Sequence, residues 1–215
     1  MTPNPWLTIT PGDYDAHMSH PVVMQTQALE QITKEQFELI SPDVRDTTVV
    51  AILGIANGNG LRHANAGHII GVDINQSFLD ECVSRYPDLA ERFTPLCIDL
   101  IVQWQEAIDV LSNVDLIIAN LLVEHVGLDH FTRIMRGLTN DGTIISCVIQ
   151  VNPDGSIASH SGCEHVFDEV VTLVTEVDEA ALTTAMTNVG YSKRGRNIYE
   201  LPNGKQFYRL DYCRT

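Results

Sequence analysis

The sequence predicts a doubly wound α/β fold: a mainly parallel seven-stranded sheet with helices on both faces and a C-terminal antiparallel hairpin. Five short apolar runs between residues 47 and 150 alternate with helical patterns, as right-handed βαβ crossovers require. Most of these runs end at a Gly, Asp or Asn residue. Near the C-terminus, two strand-like segments flank Pro202-Asn203-Gly204, which is typical of a hairpin turn. These three observations together define the predicted fold.

Residues 1–41 predict a helix preceded by an irregular lead-in. Pro21 suits the first turn of a helix. The residues that follow it recur near helical spacing, at Leu29, Ile32, Gln36, Leu39 and Ile40. Residues 6–20 are rich in His, Asp and Tyr and lack such a pattern. We therefore expect the first regular helix to begin at Pro21.

The central part of the chain, residues 47–150, is predicted to hold the parallel strands. These runs are short and rich in β-branched residues, which favours strands covered on both faces. In chain order we expect strands at 47–53, 68–72, 94–98, 114–119 and 142–150. Helices are expected at 75–86, 100–111 and 129–138. This alternation produces a parallel sheet.

Residues 151–215 are predicted to supply a loop on the substrate side, a helix and the hairpin. Asp178 suits the cap of a helix that ends near Asn188, and Gly190 suits its C-terminal stop. The hairpin strands are expected at 196–201 and 205–213. No repeat or linker divides the chain, so we expect a single domain over residues 1–215.

Composition limits the classes of function. The chain has 215 residues, of which 44% are apolar and 19% charged, as in a folded globular protein. No apolar run reaches the roughly 18 residues of a membrane span, and the N-terminus lacks a signal-peptide pattern, so we expect a cytoplasmic protein. A net charge of −15 disfavours nucleic acid and anionic membranes as partners. The five cysteines include no CxxC, so neither a disulfide framework nor a metal site is expected.

Candidate binding residues follow the predicted strands. In open α/β sheets, ligands bind beyond the carboxyl ends of the strands. A loop of small residues, Gly54-Ile55-Ala56-Asn57-Gly58-Asn59-Gly60, follows the first strand. Asp73 follows the second strand and suits ribose hydroxyls, while Asp99 follows the third and could accept a bond from an adenine amino group. Asn120 follows the fourth strand.

The order of these pieces, GIANGNG, GVDIN, CIDL and DLIIANLLVEHV, resembles the class I S-adenosylmethionine-dependent methyltransferase family over about residues 47–150. The resemblance implies S-adenosylmethionine as cofactor, S-adenosylhomocysteine as product, and in-line transfer of a methyl group to a small-molecule substrate. It implies that Gly54, Ala56 and Gly58 contact the methionine part, Asp73 the ribose and Asp99 the adenine, with Asn120 beside the sulfonium. The neighbours implied to complete the cofactor site are Ile55, Asn57, Ile74, Leu100 and Leu121.

The sequence departs from the family pattern at two positions, and two alternatives stay open. Ile52 stands where the family usually has an acid, and Ala56 where it has a second glycine. A non-catalytic domain that binds S-adenosylmethionine or S-adenosylhomocysteine is therefore one alternative. An NAD-dependent oxidoreductase is the other. Its fingerprint fails, because His63 stands where a small residue is required and Asp73 comes too early.

Several residues are candidates for contact with the substrate. His125 follows the fourth strand and could act as a base or orient the substrate, or could simply pack at a helix start. Tyr14, His17 and His20 precede the predicted first helix, where the family often has a lid. His160 and His165 lie in a tract that we expect to border the substrate pocket. Nothing in the sequence indicates the methyl acceptor or the oligomeric state.

Overall fold

The structure is a computed structural model that describes residues 4–152 and 164–214. Its strands form one sheet in the order β3-β2-β1-β4-β5-β7-β6. The first five strands are parallel, and β7 lies between β5 and β6, antiparallel to both. The strand bounds are β1 Val49–Leu53, β2 His68–Asp73, β3 Phe93–Cys97, β4 Leu116–Asn120, β5 Ile144–Val151, β6 Tyr191–Glu200 and β7 Gln206–Arg214. The predicted seven-stranded sheet with its C-terminal antiparallel pair is confirmed.

Helices cover both faces of the sheet. Their bounds are α1 Pro11–Met18, α2 Gln25–Phe37, α3 Gln76–Arg85, α4 Trp104–Leu111, α5 Val123–Val126, α6 Leu128–Gly137, α7 Asp168–Val171 and α8 Glu179–Thr187. Alternate residues of β1 show the two layers: Ala51 and Leu53 join the core beneath α4, α6 and α8, whereas Val50 and Ile52 join the core beneath α2 and α3. None of the helices in the described ranges is long and apolar enough to cross a membrane.

The N-terminal region differs from the prediction in two ways. Helix α2 begins at Gln25 rather than Pro21, because the carbonyl of His20 accepts bonds from the N–H groups of Val23 and Met24, each at 2.8 Å. Met24 then takes a left-handed conformation with φ of 48°, which an α-helix cannot include. Upstream, the segment predicted to be irregular contains α1. Thr10 caps this helix through its hydroxyl, 3.2 Å from the Asp13 nitrogen.

The connection from β1 to β2 contains a single 3₁₀ turn, Leu61–His63, and no α-helix. Helix α2 packs against this connection: the Asn59 amide donates to the Thr26 carbonyl at 2.8 Å, and a Cβ on Gly60 would lie 2.5 Å from that of Thr33. Phe37 of α2 is fully buried in the same core as Ile52. The N-terminal helix is therefore an integral part of the core on this face.

Candidate functional site

A cavity of about 810 Å³ opens at the carboxyl ends of the parallel strands, where the strand order predicts a binding site. Its volume lies in the upper part of the range for ligand pockets. We call the lining residues at the ends of the strands, Gly54, Ala56, Asp73, Asp99 and Asn120, the strand-end compartment. We call the lining residues of α5 and those in contact with them or with one another, Trp6, Glu124, His125, Gln150 and Phe167, the α5 compartment.

The loop after β1 has an unusual backbone. Gly54 has φ of +65°, and a Cβ at this position would lie 2.9 Å from Cδ1 of Leu122. Ala56 has φ of 46° and Leu121, at the end of β4, has φ of 53°. Left-handed conformations cost a non-glycine residue roughly 1–2 kcal/mol. Because Gly54, Ala56 and Leu121 all line the cavity, the strained backbone is concentrated at this site.

The carboxylate of Asp73 holds this loop in place. Its Oδ2 accepts a bond from the Ala56 N–H and its Oδ1 from the Asn75 N–H, both at 2.9 Å. Burial raises the pKa of Asp73, and the backbone bonds partly counteract this rise. Ile52, at the position where the resemblance implies an acid, is 6% exposed and packs in the core. The loop is thus ordered from β2 by Asp73.

The two other polar strand ends differ in their available atoms. Oδ1 of Asp99 accepts bonds from the N–H groups of Ile101 and Val102, at 2.8 and 3.2 Å. Its Oδ2 accepts no bond from the residues that the structure describes and could accept one from a ligand. Asn120 is instead paired with Gln36 of α2 through two reciprocal amide bonds of 2.8 and 3.0 Å. Its amide also donates to the hydroxyl of Thr33 at 3.2 Å, so α2 fixes the orientation of this side chain.

Glu124 is a buried acid that the sequence did not single out. It is 6% exposed, and its Oε1 accepts a bond from the Gln150 N–H at 2.8 Å. Its Oε2 is buried and has no hydrogen-bond partner among the described residues. Burial raises the pKa of Glu124 to about 7. This carboxyl group can therefore exchange a proton near neutral pH within the α5 compartment.

His125 is held by the N-terminal segment. The indole N–H of Trp6 donates to His125 Nδ1 at 3.4 Å, and the two rings meet edge to face with centroids 5.0 Å apart. Because Nδ1 accepts this bond, the proton of the neutral ring belongs on Nε2. Burial lowers the pKa of His125 to about 4, so the ring is neutral at pH 7. Of the two predicted roles, this arrangement favours orienting a ligand over acting as a base.

Residues 4–20 form a roof over the cavity. The side-chain amide of Asn75 donates to the carbonyls of Trp6 and Ile9, at 2.8 and 2.9 Å. That of Asn57 donates to the carbonyl of Pro11 at 2.8 Å. From this segment, Trp6, Tyr14 and His17 line the cavity. The predicted position of a lid thus corresponds to a segment that three asparagine bonds attach to the binding loops.

Some of the remaining candidates from the sequence line the cavity and others do not. Ile74, Leu100 and Leu121 line it. Five candidates lie outside its lining: Ile55 packs in the core, Asn57 anchors the roof, Gly58 packs against Leu61 and Cys82, and His20 and His165 lie elsewhere on the surface. His160 falls outside the described residues.

No known sequence family and no curated protein matches this chain, but solved structures do. Magnesium protoporphyrin IX methyltransferase from Synechocystis PCC 6803, with bound S-adenosylmethionine, matches with a TM-score of 0.64 at 12% identity over 95% of this chain and 90% of that one. Geranyl diphosphate C-methyltransferase from Streptomyces coelicolor A3(2), with S-adenosylhomocysteine, matches with a TM-score of 0.63 at 12% identity over 90% of this chain and 82% of that one. The [4+2]-cyclase SpnF matches with a TM-score of 0.63 at 12% identity over 96% of this chain and 97% of that one.

The chain has the class I methyltransferase fold. The fold implied by the sequence resemblance is therefore confirmed. A cyclase is among the similar structures, so the class I methyltransferase fold does not by itself define the reaction. The side chains in the cavity decide the chemistry.

Among the cavity residues that were not predicted from the sequence, Glu124, Trp6 and Phe167 bear most directly on the chemistry of the site. Glu124 lies directly before His125 in the otherwise apolar segment after β4, and an acid in such a segment is a signal that could have been used. Trp6 and Phe167 come from distant parts of the chain, and their ring centroids lie 6.1 Å apart. No local pattern links these two residues, because only the tertiary fold brings them together.

Proposed function

We propose that this chain is an enzyme that binds S-adenosylmethionine in the strand-end compartment and transfers its methyl group to a small molecule in the α5 compartment. S-Adenosylhomocysteine is the product. One observation carries the proposal: a single cavity joins a strained loop and two strand-end acids to a second compartment that holds the buried carboxyl of Glu124. The similar structures that contain S-adenosylmethionine or S-adenosylhomocysteine support the choice of cofactor.

The strand-end residues fit this cofactor. Gly54 takes a left-handed conformation without strain, which places its backbone and that of the strained Ala56 against the position proposed for the methionine part. The carboxylate of Asp73 has lone pairs beyond those used by the backbone, which suit the ribose hydroxyls. Oδ2 of Asp99 suits the adenine amino group, and Asn120 and Leu121 border the sulfonium. When bound, the cofactor supplies an electrophilic methyl group.

The residues of the α5 compartment would prepare the acceptor. Glu124 takes the proton that the nucleophile loses, because its pKa of about 7 lets it exist as a carboxylate at neutral pH. His125 donates from Nε2 and orients the acceptor, while Trp6 holds the ring through Nδ1. Alignment of the two reactants in one cavity supplies much of the rate of such a displacement.

The structure offers less support for the two alternatives. Dinucleotide sites place the pyrophosphate at the N-terminus of a helix that follows the glycine loop. Here the connection between β1 and β2 contains only the turn Leu61–His63. The non-catalytic alternative was motivated by Ile52, but Asp73 performs the ordering of the loop. Burying the carboxyl of Glu124 with Oε2 unpaired among the described residues is costly, which favours a catalytic role.

Calorimetric titration with S-adenosylmethionine, S-adenosylhomocysteine and NAD tests the cofactor. We expect dissociation constants on the order of micromolar for the first two and no measurable heat for NAD. Binding of NAD alone would refute the proposal. Formation of S-adenosylhomocysteine on addition of a small-molecule acceptor then separates an enzyme from a protein that only binds the cofactor.

A further inference from the structure

The charged groups that line the cavity carry one sign. Its lining includes five carboxyl groups, and none of the described lining residues is Lys or Arg. Asp73 and Asp99 occupy the strand-end compartment, Glu124 lies in the α5 compartment, and Glu169 and Glu176 are exposed where α7 and the following loop border the cavity. A cation is attracted to such a site, whereas an anion meets only like charges.

In residues 4–152 and 164–214, no group of three or more His, Cys, Asp or Glu side chains is placed to hold a metal ion. The charges of the lining favour cationic or neutral acceptors over anionic ones.

Three aromatic rings form one wall of the cavity, which we call the aromatic wall. The centroid of Trp6 lies 6.4 Å from that of Tyr14 and 6.1 Å from that of Phe167, and Tyr14 lies 6.4 Å from Phe167. All three residues line the cavity. Aromatic faces attract organic cations through their negative electrostatic potential, most strongly in a desolvated site.

We infer that the methyl acceptor is an organic amine, bound as an ammonium ion between the aromatic wall and Glu124, an identification that rests on the proposed function. Oε2 of Glu124 is a buried acceptor atom without a donor from the described residues, and an ammonium N–H supplies one. The apolar body of the amine lies against the aromatic wall. The exposed Glu169 and Glu176 attract the cation towards the cavity.

The reaction then balances with the groups already named. The bound ammonium gives one proton to the carboxylate of Glu124, which frees the nitrogen lone pair. That lone pair forms the new bond to the methyl carbon, and the carbon–sulfur bond breaks with its electron pair remaining on sulfur. The products are a methylated ammonium ion and S-adenosylhomocysteine, and the proton on Glu124 passes to solvent.

The test compares three probes of similar shape and different charge on the complex of this protein with S-adenosylhomocysteine. The probes are 2-phenylethylamine, 2-phenylethanol and 3-phenylpropanoate, and their dissociation constants are measured by calorimetry at pH 6 and pH 8. At pH 8 we expect the amine to bind roughly tenfold more tightly than the alcohol, since hydrogen bonds to charged groups are the stronger ones. The carboxylate should bind most weakly. The preference for the amine should be smaller at pH 6, where Glu124 is protonated.

The variant Glu124→Gln should abolish most of the preference for the amine. The matched control Glu91→Gln removes the same charge from an exposed residue outside the cavity lining and should preserve it. If the three probes bind equally, or the alcohol or carboxylate binds better than the amine, while S-adenosylhomocysteine still binds, the amine acceptor is refuted and the proposed function survives. If S-adenosylhomocysteine itself does not bind, the proposed function fails, and the amine acceptor fails with it.

Discussion

The substitution Glu124→Gln should stabilise the protein in a pH-dependent way. Burial raises the pKa of Glu124 from its ordinary value of 4.5 to about 7. Between these two pH values the native state binds more protons than the unfolded state, so this residue lowers stability as the pH rises. Each pKa unit corresponds to about 1.36 kcal/mol, so above pH 7 the ionised carboxyl costs about 3 kcal/mol.

The variant lacks this cost while its side-chain oxygen can still accept the bond from the Gln150 N–H. Urea unfolding at pH 4.5 and pH 8 measures the effect. At each pH, the free energy of unfolding of the wild type is subtracted from that of the variant. This difference should be about 3 kcal/mol larger at pH 8 than at pH 4.5, equivalent to roughly 6–12 °C in Tm for a chain of this size. Glu91→Gln, at an exposed position, serves as the control for the loss of one charge. A difference between variant and wild type that does not change with pH would refute the buried-carboxyl account.

Three further predictions concern other residues. Asp73→Ala should weaken binding of S-adenosylhomocysteine by more than about tenfold in calorimetry, because a carboxylate partner is lost; an unchanged constant in a folded variant would contradict its role. His125 should stay neutral at pH 6 by NMR, since burial lowers its pKa to about 4, and its contribution to stability should be lost as pH falls from 6.5 towards 4. A charged ring at pH 6 would disprove this. Arg209→Met leaves the buried Asp211, 3.1 Å from the guanidinium, without its partner; urea unfolding should show a loss of about 3–5 kcal/mol, and a loss under 1 kcal/mol would be inconsistent with a buried ion pair.

The sheet could be predicted from the sequence because its strands carry strong local signals. Runs such as Thr47 to Leu53 are β-branched and apolar, and the structure places β1 at Val49–Leu53. The hairpin around Pro202-Asn203-Gly204 joins β6 to β7, with Gly204 at φ of 81° as such a turn requires. In these elements, local preference and tertiary packing agree.

The N-terminal region was harder to predict because its structure depends on the rest of the fold. Helix α1 has no apolar stripe of its own, and bonds from Asn75 and Asn57 hold the roof, of which it is part, over the cavity. The late start of α2 depends on the turn closed by the carbonyl of His20. Nothing local to Pro21 reveals that turn.

The candidate site shows the same division. The strand-end acids Asp73 and Asp99 could be found because the carboxyl ends of parallel strands meet at one edge. The pairing of Asn120 with Gln36 could not be predicted, since it joins β4 to α2 through two residues that are 84 positions apart in the sequence. Glu124 is likewise paired with Gln150 of β5, 26 positions away, so its perturbed pKa is a tertiary property.

Amide hydrogen exchange with and without S-adenosylhomocysteine tests the central claim most directly, because it locates the cofactor on the chain. We predict slower exchange in the loop of residues 54–58, at the β2 end around Asp73 and Ile74, and in the segment of residues 98–102. The helix α8 and the hairpin of β6 and β7 should be unchanged, since they lie outside the cavity lining. Unchanged exchange at residues 54–58 and 73–74, or protection confined to other regions, would contradict the assignment of this cavity as the cofactor site.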